Sequence, residues 1–160
     1  GPEGLKNMPR GLIRLRGLPV DIIGQDAGDG GECIMLGWEN GAHAPREVAG
    51  IPVGANLKAL YMLHTVGEGI PGVEAFRYRV HYSNDAFAEI PVIVGQNTGA
   101  YLMGPSPGEA RVAWRSWKKK AVYVWRWENP HPAMKISTLD IVSSWTGGAP
   151  VIVAISGECD

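Results

Sequence analysis

Apolar and polar residues alternate along several short segments of the chain, which is the pattern of half-buried β-strands. In the segment 76–82, aromatic and aliphatic residues alternate with three basic ones. The segment 83–85 (Ser-Asn-Asp) predicts a tight turn, because Asn and Asp tolerate left-handed backbone geometry. The chain then returns through the alternating segment 86–94, so the two segments predict a β-hairpin. Pro91 cannot donate a ladder hydrogen bond, which indicates an edge strand or a bulge.

Similar patterns predict eight further strands. They span residues 12–18, 20–23, 33–36, 57–64, 111–117, 121–127, 136–142 and 151–155. No window of ordinary helix length has a 3.6-residue apolar period. Short strands at near-regular spacing, separated by many of the 22 glycines and 12 prolines, predict an all-β sandwich or barrel.

A single domain accounts for the whole pattern. A chain of 160 residues can bury a substantial core, and no linker, low-complexity tract or internal repeat divides it. Gly1-Pro2 is typical of the scar left when a protease removes an expression tag. We therefore expect residues 1–10 to be a tag remnant and lead-in, and residues 11–158 to be one β-sandwich domain cut from a longer protein.

Charge and hydropathy exclude some partners. The formal net charge is −1, and the run 118–120 (three lysines) is the one concentration of positive charge. A nucleic-acid partner needs a wider basic face, and a membrane span needs an apolar run of about 20 residues, so we expect neither nucleic acid nor membrane as a partner. Cys33 and Cys159 are too few for a disulfide framework. The apolar surroundings of Cys33 favour a buried free thiol, with pairing to Cys159 left open.

Signatures of catalysis are missing from the sequence, so we expect no enzyme. It contains no HExxH, CxxC, G-x-S-x-G or P-loop motif. A glycoside hydrolase needs two carboxylates about 5–9.5 Å apart, but the spacing of the carboxylates singles out no such pair, and a hydrolase remains a third hypothesis. The carboxylates considered are Asp21, Glu32, Asp85, Glu89, Glu128 and Asp140.

A glycine-rich loop carries Asp21, Asp26, Asp29 and Glu32. Closely spaced oxygen ligands of this kind suit Ca²⁺, which takes about 6–8 oxygens, although the spacing is not that of an EF-hand. The sequence leaves two interpretations of the loop open: a structural Ca²⁺ site, or a polar turn without metal. No cofactor is required by either.

Six tryptophans are the most informative residues for function. Alternation places Trp114 and Trp125 in the core, with Val112 on the same face as Trp114. Trp117 and Trp145 instead lie at strand ends beside turns, where an exposed indole marks contact with a partner. Sugars present flat apolar faces ringed by hydroxyls, so a stacking aromatic and an orienting donor such as Arg115 suit them. Alternatively, both rings fold back and cap the sandwich.

The order of strands also predicts which loops lie together. If every strand reverses direction, the turns 83–86, 118–120 and 144–149 share one end, and the loops 65–73, 95–109 and 128–135 share the other. The first end holds Trp117 and Trp145. The second predicts another polar–aromatic patch, whose histidines and asparagines could equally satisfy loop carbonyls. Its members are His64, Asn97, Tyr101, Trp127, Asn129 and His131.

Several strings, taken in order, resemble a bacterial galactose-binding-domain-like module of the kind attached to glycoside hydrolases. They are Gly17-Leu-Pro-Val-Asp-Ile-Ile23, Gly30-Gly-Glu-Cys-Ile-Met-Leu36, Ile51-Pro-Val-Gly54, Ala59-Leu-Tyr-Met-Leu-His-Thr65, Tyr78-Arg-Val-His-Tyr82, Glu89-Ile-Pro-Val92, Trp127-Glu-Asn-Pro-His-Pro132, Ile141-Val-Ser143 and Pro150-Val-Ile-Val-Ala154. The segment 95–101 departs from the more tryptophan-rich stretch of such modules. Trp117 and Trp145 match no motif of theirs.

The resemblance implies a jelly-roll sandwich and a non-catalytic carbohydrate-binding module, secreted or displayed on the cell surface. Its implied partners are a polysaccharide or oligosaccharide and a neighbouring catalytic domain in the parent chain. In such sandwiches the ligand often lies at loop tips away from the chain ends, which favours the end predicted to hold Trp117 and Trp145. The alternative is a structural accessory domain that packs against the catalytic neighbour without binding sugar.

Overall fold

The computed structural model describes residues 20–23, 33–41, 43–102, 104 and 106–159. These residues form two antiparallel sheets. They contain no helix, and therefore none that is long and apolar enough to cross a membrane. The strands are β1 Val20–Ile23, β2 Ile34–Met35, β3 Glu47–Asn56, β4 Ala59–Gly67, β5 Glu74–Tyr82, β6 Phe87–Ile93, β7 Arg111–Arg115, β8 Ala121–Glu128, β9 Lys135–Ser143 and β10 Ala149–Glu158.

The first sheet has the order β1-β10-β4-β8-β7, with β2 pairing further along β10, and the second has the order β3-β9-β5-β6. The chain passes from one sheet to the other five times between β3 and β10, so each sheet is assembled from segments distant in sequence. This two-sheet, sandwich-like architecture confirms the predicted all-β class. Pro91 lies in β6, an edge strand of the second sheet, as its missing N–H predicted. Residues 1–10 and the predicted strand 12–18 lie outside the described residues.

The core lies between the inner faces of the two sheets. Met62 and Ile155 from the first sheet pack in one cluster with Phe76, Tyr78 and Ile141 from the second, all fully buried. Each such side chain stabilises the fold by about 1.5–3 kcal/mol relative to its exposed state. Burial along β5 alternates as its sequence predicted, with the three basic residues partly exposed on the outer face.

A second apolar cluster lies on the outer face of the first sheet. It contains Leu63, Val122 and Val153, with Trp114 packed against them. Strand β8 therefore has apolar neighbours on both faces. Trp125 packs against the inner core, and both tryptophans are half-buried.

The prediction that Val112 and Trp114 share a face is wrong. Their register against β8 shifts between the two residues. Val112 consequently packs beside Tyr123 in a small inner cluster, whereas Trp114 packs against the outer-face cluster. A bulge of this kind adds one residue to a strand and so reverses the alternation beyond it.

Strand β3 was not among the strands predicted from alternation. Two register shifts interrupt its pairing with β9, and Gly50 and Gly54 take φ angles of 72° and 64° within it. Only glycine adopts such angles without a steric penalty. Pro52 also lies in this strand, which is tolerable because β3 is an edge strand. Glycine and proline, usually signs of a turn, here belong to a bulged edge.

The predicted division of the loops between the two ends is wrong. The segments 36–46, 68–73, 94–110, 116–120 and 144–148 lie at one end, hereafter the loop-rich end, as the strand registers require. The turns 83–86 and 129–134 lie at the opposite end. The prediction fails because it assumed that every strand reverses the direction of the one before it. The segment 94–110 crosses from the second sheet to the first, and β7 then runs in the same direction as β6. Both strands run toward the loop-rich end. Every later loop then changes ends.

Candidate functional site

The hairpin tip between β7 and β8 presents Trp117 to solvent. The indole is 89% exposed, more than any other large hydrophobic side chain of the described residues. Ser116 holds the tip: its N–H donates to the carbonyl of Lys120 at 2.8 Å, and its Oγ accepts the N–H groups of Lys118 and Lys120, both at 3.2 Å. The backbone of this tip is therefore well fixed, although its aromatic side chain contacts little of the protein.

Trp145 is held in a strained turn at the same loop-rich end. Its φ angle is 72°, which costs an aromatic residue roughly 1–3 kcal/mol. Two contacts hold it there: Ser143 Oγ accepts the N–H of Trp145 at 3.0 Å, and the carbonyl of Trp145 accepts the N–H of Glu39 at 2.9 Å. Ser143 Oγ also donates to the carbonyl of Gly37 at 2.6 Å, which ties this turn to the segment 36–46.

The indole of Trp145 packs against two residues of the segment 36–46, Gly37 and Arg46. A Cβ added at Gly37 would lie 3.4 Å from the Trp145 ring, and the Arg46 Cζ lies 5.3 Å from its centroid. The ring is half-buried. Of the two alternatives predicted for these tryptophans, Trp145 therefore caps the sandwich in part, whereas Trp117 does not.

Tyr101 and Arg115 lie beside the hairpin tip. The Nζ of Lys120 lies 5.6 Å from the centroid of the Tyr101 ring, and the carbonyl of Tyr101 accepts the N–H of Ala121 at 2.8 Å. The Tyr101 hydroxyl is buried and has no hydrogen-bond partner among the described residues; burial, with the nearby Cys33, raises its pKa. Arg115 ends β7 and is exposed, two positions before Trp117 in the sequence.

His64 and Asn97 are structural residues, which corrects their assignment as ligand contacts. His64 is fully buried. Its Nε2 bonds the carbonyl of Asn97 at 2.8 Å, and its Nδ1 bonds the hydroxyl of Tyr78 at 2.7 Å. The Asn97 side chain is also used: it accepts the N–H of Ile93 at 2.8 Å and donates to the carbonyl of Pro91 at 2.9 Å. The side chains of His64 and Asn97 therefore satisfy hydrogen-bonding groups of the protein itself, which is the second interpretation that the sequence left open for them.

The predicted polar–aromatic patch does not exist as one surface. Trp127, Asn129 and His131 lie at or near the end opposite to Tyr101. Asn129 is buried there, where its side chain accepts the hydroxyl of Tyr82 at 2.6 Å and donates to the carbonyl of Leu57 at 2.7 Å. The patch depended on the loop placement that the segment 94–110 overturns.

Trp117 and Trp145 share the loop-rich end but are not in contact. The hydrogen bonds of this end place the segments 68–73 and 99–102 between them: Ile70 N–H donates to the carbonyl of Gly147 at 3.1 Å, and Tyr101 N–H to that of Val66 at 2.8 Å. Two to three strand spacings separate the β7–β8 tip from β10, or about 10–15 Å. The two indoles can therefore contact one ligand only if it is extended.

Sequence reasoning missed three residues of this end. Arg46 is 99 positions from the indole it covers, so no local pattern could relate them. Leu102 and Ile70 are exposed apolar residues, at 65% and 46%. Leu102 lies opposite Lys120 in an isolated bridge, which adds its side chain to the hairpin tip. For Ile70 the available signal was an isolated apolar residue in a segment rich in Gly and Pro.

Two of the carboxylates considered for catalysis, Glu89 and Asp140, are engaged by basic side chains of the second sheet. Glu89 binds Arg77 and Arg79 on the outer face of the second sheet, and hydrogen bonds from Arg79 and Arg77 lower its pKa. Burial alone would raise the pKa of Asp140, but bonds from the Gly50 N–H and from His81 lower it below its usual value. A general acid needs the opposite shift.

No group of three or more His, Cys, Asp or Glu side chains among the described residues is arranged to hold a metal ion. The acidic loop proposed for Ca²⁺ lies outside them, apart from the backbone of Asp21. Cys33 and Cys159 are free thiols, which confirms that Cys33 is unpaired but not that it is fully buried. Cys33 is half-buried, and burial raises its pKa.

Comparisons of the chain with protein-family models, curated proteins and solved structures found no match. The resemblance to galactose-binding-domain-like modules therefore stays a prediction. The loop-rich end combines an exposed indole on a fixed hairpin, a second indole held in a strained turn, and a cationic side chain over each of them.

Proposed function

We propose that this chain is a non-catalytic carbohydrate-binding module with a jelly-roll, galactose-binding-domain-like sandwich. It binds an extended glycan at the loop-rich end by aromatic stacking, as an accessory domain of a larger secreted or cell-surface protein that degrades polysaccharides. Trp117 is the principal stacking residue. Trp145 and Tyr101 are further contacts, and Arg115 is an orienting donor.

The observation that carries this proposal is the exposure of Trp117. Leaving a large indole 89% exposed forgoes burial that would stabilise the fold, so a bound partner is the natural explanation. A ring on a fixed hairpin also loses little conformational entropy when a sugar stacks on it. The flat face of an indole suits the apolar face of a pyranose, and the adjacent Arg115 suits its hydroxyls.

The strained turn at Trp145 supports a binding role for the same end. Left-handed backbone at a bulky residue persists only where the surroundings enforce it, and such strain concentrates at functional sites. Here two hydrogen bonds and the Arg46 guanidinium set the orientation of the ring. The ring is thereby pre-organised before any ligand arrives.

Affinity gel electrophoresis against a panel of neutral and charged polysaccharides tests the proposal, followed by calorimetry on whichever binds. We expect Trp117→Ala to weaken binding at least tenfold. The comparable stacking of a nucleic-acid base on an aromatic side chain is worth about 1–3 kcal/mol. Trp145→Ala should weaken it as well. Phe87→Ala is the matched control: Phe87 is an aromatic residue 61% exposed near the opposite end, and its loss should leave binding unchanged. A ligand that binds Trp117→Ala and wild type equally would refute this site.

A structural accessory role is the second candidate, and the exposure of Leu102 and Ile70 favours it. Aliphatic side chains at the loop-rich end gain little from a sugar but would be buried against a neighbouring domain, in an interface of about 600–1,500 Å². This role predicts no binding to any glycan of the panel. It also predicts that Leu102 and Ile70 become protected from hydrogen exchange in the longer parent protein.

A further inference from the structure

We propose that the glycan bound at the loop-rich end is anionic, with carboxylate or sulfate groups along its chain. This inference rests on the proposed function and specifies its ligand class. It starts from the charge of the hairpin tip. Arg115, Lys118, Lys119 and Lys120 add four positive charges within six residues, in a chain whose net charge is −1.

These cations are not neutralised by the carboxylates of the described residues. The ion pairs there use Arg77, Arg79, His81 and Arg126, all of them away from the hairpin tip. Four like charges held on one tip repel one another, which is unfavourable unless an anion binds among them. The field of the tip therefore selects a negatively charged partner at short range, within the Debye length of about 8 Å at physiological salt.

Cations also accompany three aromatic rings of this end. Lys118 Nζ lies 5.0 Å from the Trp117 centroid, Lys120 Nζ 5.6 Å from that of Tyr101, and Arg46 Cζ 5.3 Å from that of Trp145. In each pair the cation lies over the ring, so an apolar surface and a positive charge lie within one sugar unit of each other. This arrangement suits a sugar unit that presents both an apolar face and an anionic group. The pair is repeated across the end, as an extended polymer of such units requires.

An anionic lipid surface also attracts basic residues and tryptophan, but the geometry fits it less well. Insertion into a headgroup layer needs rings that project freely. Trp117 projects, whereas Trp145 and Tyr101 are half-buried and fixed by backbone hydrogen bonds. A chain lying along the end can reach all three rings, whereas a bilayer reaches the tip alone.

The test compares polygalacturonate, a sulfated glycan without carboxylates (dextran sulfate) and a neutral xyloglucan, each by calorimetry at 50 and 300 mM NaCl. We expect an anionic glycan to bind at least tenfold more tightly than the neutral one, and to lose at least fivefold in affinity at the higher salt. Lys118→Gln/Lys119→Gln should weaken this binding at least fivefold. Lys58→Gln/Lys135→Gln removes the same charge near the opposite end and is the matched control.

The outcomes separate this inference from the proposed function. Neutral glycan bound as tightly as anionic glycan, through Trp117 and without salt dependence, would overturn the anionic ligand and leave the carbohydrate-binding module intact. Binding of anionic glycan weakened equally by both lysine pairs would also overturn it, because the charge would then act globally. If no glycan binds and vesicles containing phosphatidylserine do, both proposals fail. Polygalacturonate bound without dextran sulfate identifies the carboxylate as the recognised group, and the reverse result identifies the sulfate.

Discussion

The Nε2–H of His64 donates a hydrogen bond to the carbonyl oxygen of Asn97, at 2.8 Å. Because a carbonyl can only accept, this bond assigns the tautomer: Nε2 carries the proton, and Nδ1 accepts from the Tyr78 hydroxyl at 2.7 Å. The neutral imidazole thereby joins β4, β5 and the segment 94–110. If the His64 ring were protonated, both of its nitrogens would be donors, and the Tyr78 hydroxyl would lose the Nδ1 lone pair that accepts its proton. Because His64 is fully buried, water could not replace that acceptor.

Stability is expected to fall as the pH is lowered from about 6.5 to 4. Burial lowers the pKa of His64 to about 4, from 6.5 for an unperturbed histidine, despite the bond to Asn97. The unfolded chain then binds a proton in this range that the folded chain does not. The free energy of unfolding should therefore decrease by about 3 kcal/mol across it, measured by urea denaturation at a series of pH values.

A second measurement assigns this loss to His64. Nitrogen chemical shifts of its ring should show the neutral Nε2–H tautomer at pH 5 in the folded protein. The contributions of Asp140 and Glu89, whose pKa values are lowered, begin to be lost only below about pH 5, as the carboxylates of the unfolded chain protonate. A His64 ring that is charged at pH 5 in the folded protein would contradict the prediction.

Substitution of Gly148 should destabilise the turn that carries Trp145. Gly148 has a φ angle of 118°, and a Cβ there would lie 2.6 Å from the carbonyl oxygen of Gly67 and from Val66 Cγ1. We expect Gly148→Ala to lower the free energy of unfolding by about 2–3 kcal/mol. In the control Gly108→Ala, the new methyl meets nothing within 4 Å and no positive φ. Equal stability of the two variants, by urea denaturation, would show that the turn relaxes freely.

Substitution by alanine should lower the free energy of unfolding at Trp114 but hardly change it at Trp117. Trp117 is exposed, so Trp117→Ala should change the free energy of unfolding by no more than about 0.5 kcal/mol. Trp114 packs against the outer-face cluster, and Trp114→Ala should cost about 2–3 kcal/mol, less than for a fully buried indole. Chemical denaturation of both variants measures this difference. Trp117→Ala as destabilising as Trp114→Ala would show that the Trp117 indole packs on the protein.

The alternation of residues 76–94 predicted its hairpin because period-two burial is a local property of a strand. The turn in it is local too: Asn84 Oδ1 accepts the Ala86 N–H at 3.1 Å, and Asp85 has a φ angle of 68°, as residues of this type allow. Strand β3 escaped prediction since its glycines serve bulges whose need arises only from pairing with β9.

In the candidate site too, some features depend on local sequence and others on contacts between distant segments. The position of Trp117 at a strand end beside a lysine-rich turn followed from the sequence, which left open whether its ring is exposed or caps the sandwich. The burial of His64 and Asn97 did not follow from their positions. Their hydrogen bonds join residues 14 and 33 positions apart, and sequence spacing carries no information on such pairs. Arg46 was missed for the same reason.

The amino-acid sequence by itself determined the all-β class, most strand positions and the aromatic and basic hairpin tip, because periodicity, turn chemistry and charge act over a few residues. The tertiary structure alone decided which loops meet. The connection 94–110 enters the first sheet without reversing the chain, and this one crossover brings Trp117, Tyr101 and Trp145 to a single end. Its path depends on backbone bonds to β4 and β8, formed only when the sheets assemble.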